Sequence, residues 1–200
     1  MHCDLNIPCS GQTDPSTIDK LKLILSRLAQ LNEATVALNY TIESKIPKPI
    51  DENPKQIADL REQFDLIALR TNDYDEFHAA CQSDQIDIIS LHVDERLSFE
   101  LNSVDIKNAL QKNIYFEICY APAIRDNQAR TYTEQLAKQL FEYTQGQHVI
   151  ISSEAQIVSE IRSPADIFYF AKSIGFPNDK AKFTVEKHCQ QLLHSRSNVK

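Results

Sequence analysis

The sequence predicts an α/β domain built on a parallel sheet, and three observations carry that expectation. Short runs rich in β-branched and aromatic residues alternate with amphipathic stretches, the pattern of repeated β/α units. Of 200 residues, 42% are hydrophobic, enough to bury one sizeable core and too few to divide between two, so a single domain over residues 1–200 is expected. No repeat, low-complexity segment or interdomain linker interrupts the alternation.

Taken in order, the strands are expected at 3–7, 35–39, 66–69, 86–91, 115–119 and 149–151. Between the first two, Ile18, Leu21, Leu25 and Leu28 recur at helical spacing and predict one buried face. A proline-rich loop at 46–54, with Pro47, Pro49 and Pro54, separates the second and third strands. Tyr132, Leu136, Leu140 and Tyr143 mark the helix between the fifth and sixth. Ser163-Pro164-Ala165-Asp166 reads as a helix start: serine caps, proline at the first helical position gives up no needed hydrogen bond, and Asp166 bonds back to the cap. That helix should stop at Gly175, which takes a left-handed cap before Pro177 forbids continuation. A last helix is expected at about 179–193.

Such units either close as a (β/α) barrel or remain an open doubly wound sheet, and periodicity does not choose between them. Both place ligands at the carboxyl ends of the strands, where loops and helix N-termini converge. The residues to watch are therefore Asn6 and Ile7, Asn39 and Tyr40, Arg70, His92, 120–130 and 152–162.

Charge and composition exclude several classes. The net charge is -7, from 21 basic and 28 acidic residues, so any nucleic-acid role must be local. Residues 1–114 carry 11 bases against 19 acids and residues 115–200 carry 10 against 9, which places a basic function in the second half. Three widely spaced glycines, Gly11, Gly146 and Gly175, cannot build a phosphate-cradling loop. No apolar run approaches a membrane span, and the start, Met1-His2-Cys3-Asp4, is unlike a signal peptide, so a soluble intracellular chain without membrane contact is expected. Five cysteines without a C-x-x-C pair signal neither a disulfide framework nor a zinc site.

His2, Asp4, His78, His92, His148, His188 and His194 raise the question of a metal site for phosphoester hydrolysis, but no tight H-x-H pair stands on the first strand, and no metal ligands are assigned. Cys119 lies in an apolar strand, where core packing is the simpler role, and no nucleophile elbow is present. In the segment 120–130 a strand ends, a proline turn follows, Asp126 is placed to cap a helix, and Arg125 and Arg130 flank its first turn. That is a phosphate-binding arrangement. The competing reading pairs one arginine with Asp126 or Glu134 and leaves the other solvated. Likewise, Ser152 and Ser153 end the sixth strand and Arg162 precedes a capped helix. Hydroxyls and guanidinium either converge on an anion or merely serve the strand end, with Arg162 bridging Glu160.

In this order, Y-A-P-A-I-R-D-x-x-x-R, V-I-I-S-S, E-I-R-S-P-x-D-I and I-G-F-P, the motifs resemble the thirty-kilodalton (p30) protein subunit family of ribonuclease P, which eukaryotes share with RNase MRP. The likeness extends from Asp4-Leu5-Asn6 through Ala37-Leu38-Asn39 and Phe64-Asp65-Leu66 to the C-terminal helix. It implies a TIM-barrel-like fold related to polymerase-and-histidinol-phosphatase domains without their metal-binding histidines. It implies no catalytic residue in this chain: an RNA catalyst, with its own Mg²⁺, removes the 5′ leader of precursor tRNA while the protein binds RNase P or MRP RNA, a small partner subunit of the Pop5 type and other RNase P proteins. By matching motif, Arg125, Arg130, Arg162, Ser152 and Ser153 take the RNA-binding role, and Asp126, Pro164 and Asn39 support them, Asp126 by capping the helix and orienting Arg130. Nuclear and nucleolar location follows from the eukaryotic members. The family has a further strand where this chain has only 46–55, so the barrel is expected to be short by one β/α element. Two other readings remain: a metal-dependent phosphoesterase on the same scaffold, and a pure protein-interaction scaffold.

Overall fold

A computed structural model describes residues 3–9, 14–31, 35–41 and 54–197. In chain order the elements are β1 (Cys3–Pro8), α1 (Pro15–Gln30), β2 (Thr35–Asn39), α2 (Pro54–Gln63), β3 (Ala68–Thr71), α3 (Tyr74–Gln82), β4 (Ile88–Leu91) and α4 (Ser103–Gln111). They continue with β5 (Tyr115–Cys119), α5 (Ala121–Arg125), α6 (Asn127–Thr144), β6 (Val149–Ser152), a short 3-10 turn (Val158–Glu160), α7 (Pro164–Ser173), α8 (Asn178–Glu186) and α9 (His188–Ser197).

All strand pairings are parallel: β1 with β2, and β3-β4-β5-β6 as a second sheet. The two sheets are joined past β6, where the Glu154 N–H donates to the Asn6 carbonyl at 2.9 Å and the Ser153 N–H to Asp4 Oδ1 at 3.0 Å. The resulting order, β2-β1-β6-β5-β4-β3, is the circular succession of a (β/α) barrel. Among the described residues no strand joins β2 to β3; the stretch 46–55, where the further strand was expected to be missing, lies outside the described residues up to residue 53. Tyr40 and Phe64 stack across this place at 6.2 Å. Of the proline-rich loop, residues 46–53 lie outside the described residues, and Pro54 is the first residue of α2.

Register sorts the side chains into layers, because alternate residues of a strand face opposite sides. Leu69, Ile89, Phe116 and Val149, then Leu91, Ile118 and Ile151, face outward and are covered by α3, α4, α6, α7 and α8 through Phe77, Ile106, Leu136, Leu140, Ile167 and Val185. The opposite face starts apolar at the amino ends, where Ile88, Tyr115 and Ile150 meet Cys3, Leu5, Cys189 and Leu192. One layer higher it turns polar: Arg70, Ser90 and Glu117 stand side by side, followed by Cys119 and Ser152.

Capping follows the sequence closely. Asp14, Asp73, Asn102 and Asp126 each cap a helix through backbone N–H groups, and Ser163 with Asp166 forms a full capping box with Pro164 at the first helical position. Gly175 ends α7 at φ +104. Four expectations need correction. In α1, Leu21, Ile24 and Leu28 face Ile7, Ala155 and Ile161, whereas Ile18 and Leu25 are each 37% exposed; two apolar faces overlap on this helix, and the shape of β1 with the 155–161 segment selects one. Tyr143, expected on the buried face of α6, lies at its exposed margin. The third strand is displaced to Ala68–Thr71, because Asp87 takes the Ile67 N–H on its carboxylate at 2.7 Å and postpones the ladder. The last helix is two, α8 and α9, separated at Lys187, where the chain turns so that the buried His188 ring meets the Val149 carbonyl at 2.6 Å.

Candidate functional site

The carboxyl ends of the strands carry a connected polar cluster. On β1, the buried Asn6 donates through Nδ2 to Glu117 Oε2 at 3.1 Å and to Cys119 Sγ at 3.4 Å, while its Oδ1 accepts from Asn39 of β2 at 2.9 Å. Asp4 Oδ1 accepts from the N–H groups of Asn6 and Ser153. From β3, Arg70 grips Glu154 with both terminal nitrogens, at 2.8 and 2.7 Å, and its Nη2 lies 3.5 Å from Cys119 Sγ. One network thus touches four of the six strands, β1, β2, β3 and β5, and the segment after β6.

Burial dominates its electrostatics. It raises the pKa of Glu117, against the Arg70 charge and the Ser152 and Ser90 hydroxyls, and raises that of Asp4, against hydrogen bonds from Ser153 and Asn6. The Cys119 thiol is likewise pushed up by burial and by Glu117, which disfavours a thiolate. For Arg70, burial works against the charge, but the Glu154 hydrogen bonds and the Glu154 and Glu117 carboxylates outweigh it and raise the pKa. The cluster therefore holds its carboxylates and cation against each other.

The arginines assigned from sequence surround this cluster. Arg125, at the end of α5, donates from Nη2 to the Glu154 carbonyl at 2.9 Å and sets Nε 3.1 Å from Glu160 Oε1. Arg162 holds the Ser159 carbonyl through Nη1 at 2.6 Å, and its N–H meets the Tyr120 hydroxyl at 3.2 Å. Glu160 thus pairs with Arg125 and not with Arg162. Arg130 lies exposed on the first turn of α6, its Nε on the Ala123 carbonyl at 3.0 Å. Asp126 does cap α6, accepting from the N–H groups of Gln128 and Ala129 at 2.8 Å each, but the bond that orients Arg130 is the one to Ala123. Ser152 and Ser153 are 1% and 0% exposed. Ser152 faces Glu117, and Ser153 Oγ accepts the Ala155 N–H at 3.1 Å, so both serve the interior and not the rim. Pro164 opens α7, and Asn39 supports Asn6.

The described histidines do not gather at one site, although His148 and His188 both pack against Tyr115. His148 precedes β6 and His188 bonds the Val149 carbonyl, both at the amino ends, whereas His92 follows β4 at the carboxyl end and His78 pairs with Asp105 between α3 and α4 at 2.7 Å. His2 lies outside the described residues. Among the described residues no group of three or more histidines, cysteines and carboxylates is placed to hold a metal ion. Beside Arg70 opens a cavity of about 590 Å³ lined by Asn72, Asp73, Glu76, His92 and Asp94. No described helix is long and apolar enough to cross a membrane.

Sequence reasoning missed Glu117 and the Arg70–Glu154 pair. Glu117 had a signal, a carboxylate within an otherwise apolar strand, which must find partners if buried. The pair had none, because its members are 84 residues apart.

The family described as RNase P subunit p30 matches residues 51–200. The chain is 33% identical over 130 residues to Protein GAMETOPHYTE DEFECTIVE 1 of Arabidopsis thaliana, covering 65% of this chain and 22% of that protein. It is 31% identical over 135 residues to the ribonuclease P protein subunit p30 of Mus musculus, covering 67% of this chain and 50% of that one. With the probable ribonuclease P protein subunit 3 of Schizosaccharomyces pombe it shares 25% identity over 227 residues, 98% of this chain and 94% of that one. The chain thus spans half or less of the Arabidopsis and mouse proteins. In fold it is similar to a chain in a cryo-EM structure of archaeal ribonuclease P with mature tRNA, with a TM-score of 0.67 at 12% identity, covering 98% of this chain and 92% of that one.

Proposed function

Because the chain belongs to the RNase P subunit p30 family, we propose that it is a non-catalytic protein subunit of the ribonuclease P ribonucleoprotein, and of RNase MRP. In this reading it supports RNA-catalysed removal of the 5′ leader from precursor tRNA, together with pre-rRNA processing. The observation that carries it is the family match over residues 51–200, which contains every element from α2 to α9. The site's form agrees with the reading. Its interior polar groups bond to one another, while Arg125, Arg130 and Arg162 stand around the strand ends as cationic groups for a polyanion.

The partners in this proposal are RNase P or MRP RNA, precursor tRNA within the particle, a small subunit of the Pop5 type and the other RNase P proteins. Catalysis, with its Mg²⁺, belongs to the RNA, and the location is the nucleus, including the nucleolus. An overall charge of -7 suits a subunit that touches RNA over one patch and proteins elsewhere.

The test is to purify the tagged chain from cells under mild conditions, sequence the RNA that accompanies it, and assay precursor-tRNA cleavage before and after nuclease treatment. Enrichment of one structured RNA, with cleavage abolished by its digestion, is expected. Cleavage that survives digestion places the chemistry on protein, and recovery without RNA overturns the proposal.

A further inference from the structure

Glu154 has a backbone that L side chains rarely adopt, φ +53, in the segment that leaves β6. Such a residue persists where its surroundings over-determine it. Here its N–H donates to the Asn6 carbonyl at 2.9 Å, its carboxylate receives both terminal nitrogens of Arg70, and its carbonyl accepts Arg125 Nη2 at 2.9 Å. One residue, held from β1 and β3, thereby sets where the Arg125 guanidinium stands. With Nε of Arg125 on Glu160 and Nη2 on this carbonyl, Nη1 takes no partner among the described residues.

We infer that Arg70 and Glu154 are a positioning pair for RNA binding: they fix the Glu154 peptide, and through its carbonyl they aim Arg125 at phosphate. The inference rests on the proposed RNA-subunit reading, in which Arg125 contacts the RNA. Arg70 itself is poorly placed as a phosphate ligand, because both its terminal nitrogens are taken by the Glu154 carboxylate in bidentate geometry. The two roles differ in sign. If Glu154 merely masked a phosphate-binding Arg70, removing its charge would free a cation and strengthen RNA binding. If the pair positions Arg125, removing that charge loosens the peptide and weakens binding.

The experiment measures binding of the full chain to a fluorescently labelled transcript of RNase P RNA from its own organism across a salt series. It compares wild type, Arg125→Ala, Arg70→Met, Glu154→Gln and the double variant Arg70→Met with Arg125→Ala, each first checked for folding by circular dichroism. Arg125→Ala is expected to reduce the slope of log affinity against log salt by about 0.9 for a duplex-like contact. Arg70→Met is expected to reduce it by at least half as much, the double variant no further than Arg125→Ala alone, and Glu154→Gln is expected to weaken binding although it removes a negative charge. Additive losses in the double variant, an unchanged slope for Arg70→Met, or tighter binding by Glu154→Gln overturns the positioning role while the RNA reading stands. An unchanged slope for Arg125→Ala also overturns the positioning role, whereas the RNA reading falls only if the wild-type chain shows no binding to the transcript. Should Arg70→Met fail to fold, the sign of the Glu154→Gln effect decides.

Discussion

Asp4 is the residue whose replacement most directly tests how β6 is closed on β1. It is 2% exposed, and its Oδ1 accepts from two buried backbone donors, Asn6 N–H at 3.2 Å and Ser153 N–H at 3.0 Å. Asp4→Ala orphans both. A buried donor left unsatisfied costs about 1–3 kcal/mol, so the pair sums to roughly 2–6 kcal/mol. Part is offset, because burial raises the Asp4 pKa and an ionised carboxylate at this position carries its own desolvation cost. The net loss should be about 2–4 kcal/mol. With a urea m value of about 2 kcal/mol/M, that moves the unfolding midpoint down by about 1–2 M. Asp4→Asn keeps an acceptor oxygen in the same volume and should remain within about 1 kcal/mol of wild type. The sign of the pH effect follows from the raised pKa: the folded state holds this proton more tightly than the unfolded state, so Asp4's contribution becomes more favourable as pH falls from above the folded pKa toward 3.8. Asp4→Asn should lose that contribution. The assay is urea unfolding followed by circular dichroism at several pH values. If Asp4→Asn falls as far as Asp4→Ala, the negative charge itself is required and the hydrogen-bond account is wrong. If Asp4→Ala unfolds like wild type, Asp4 does not close the sheet.

Three further outcomes are expected. Alanine at Arg125, Arg130 or Arg162 should each remove about 0.9 from the salt slope of RNA binding, roughly a threefold to fourfold change in sensitivity between 50 and 200 mM salt, whereas conversion of Ser152 to Ala should leave the slope unchanged; a slope that ignores all three arginines excludes them as phosphate contacts. His148, stacked on Tyr115 at 4.6 Å, and His188 have pKa values lowered by burial. The unfolded state therefore binds more protons below about 6.5, and stability should fall as pH drops through that value. His148→Asn, which tolerates the left-handed backbone at φ +50, should show a smaller fall in melting temperature between pH 7.5 and 5.5 than wild type, and an identical fall rules the histidine out. Gly175→Ala forces a side chain into φ +104 without a steric clash, the nearest atom being Lys138 Cγ at 3.9 Å, and should lower the melting temperature by about 2–4 °C, the equivalent of about 1 kcal/mol in a chain of this size.

How the chain reads before folding depends on how local the governing physics is. The strands Thr35–Asn39 and Tyr115–Cys119 and the capping box at Ser163 lie where the pattern places them, since β propensity and cap chemistry act within a few residues. The ordered motifs around Arg125, Arg130 and Arg162 carried the family resemblance for the same reason. By contrast, Ile24 instead of Leu25 is buried on α1, and one predicted C-terminal helix is broken at Lys187, because the surface each helix meets is built by distant residues.

The sequence by itself therefore determined the α/β class, the strand order along the chain, the helix caps at Asp126 and Ser163 and the stop at Gly175. Only the tertiary structure decided which polar groups face inward. Ser152 and Ser153 were expected on the rim and are buried; Glu117 sits in an apolar run, yet it accepts from Asn6; Arg70 and Glu154 meet across the barrel. A buried polar atom must find a partner wherever the fold supplies one, and hydrogen-bond partners in a curved succession of parallel strands come from elements a hundred or so residues apart, as Asn6 and Glu117 are. That pairing is a property of register and of how β6 meets β1, which no local pattern encodes.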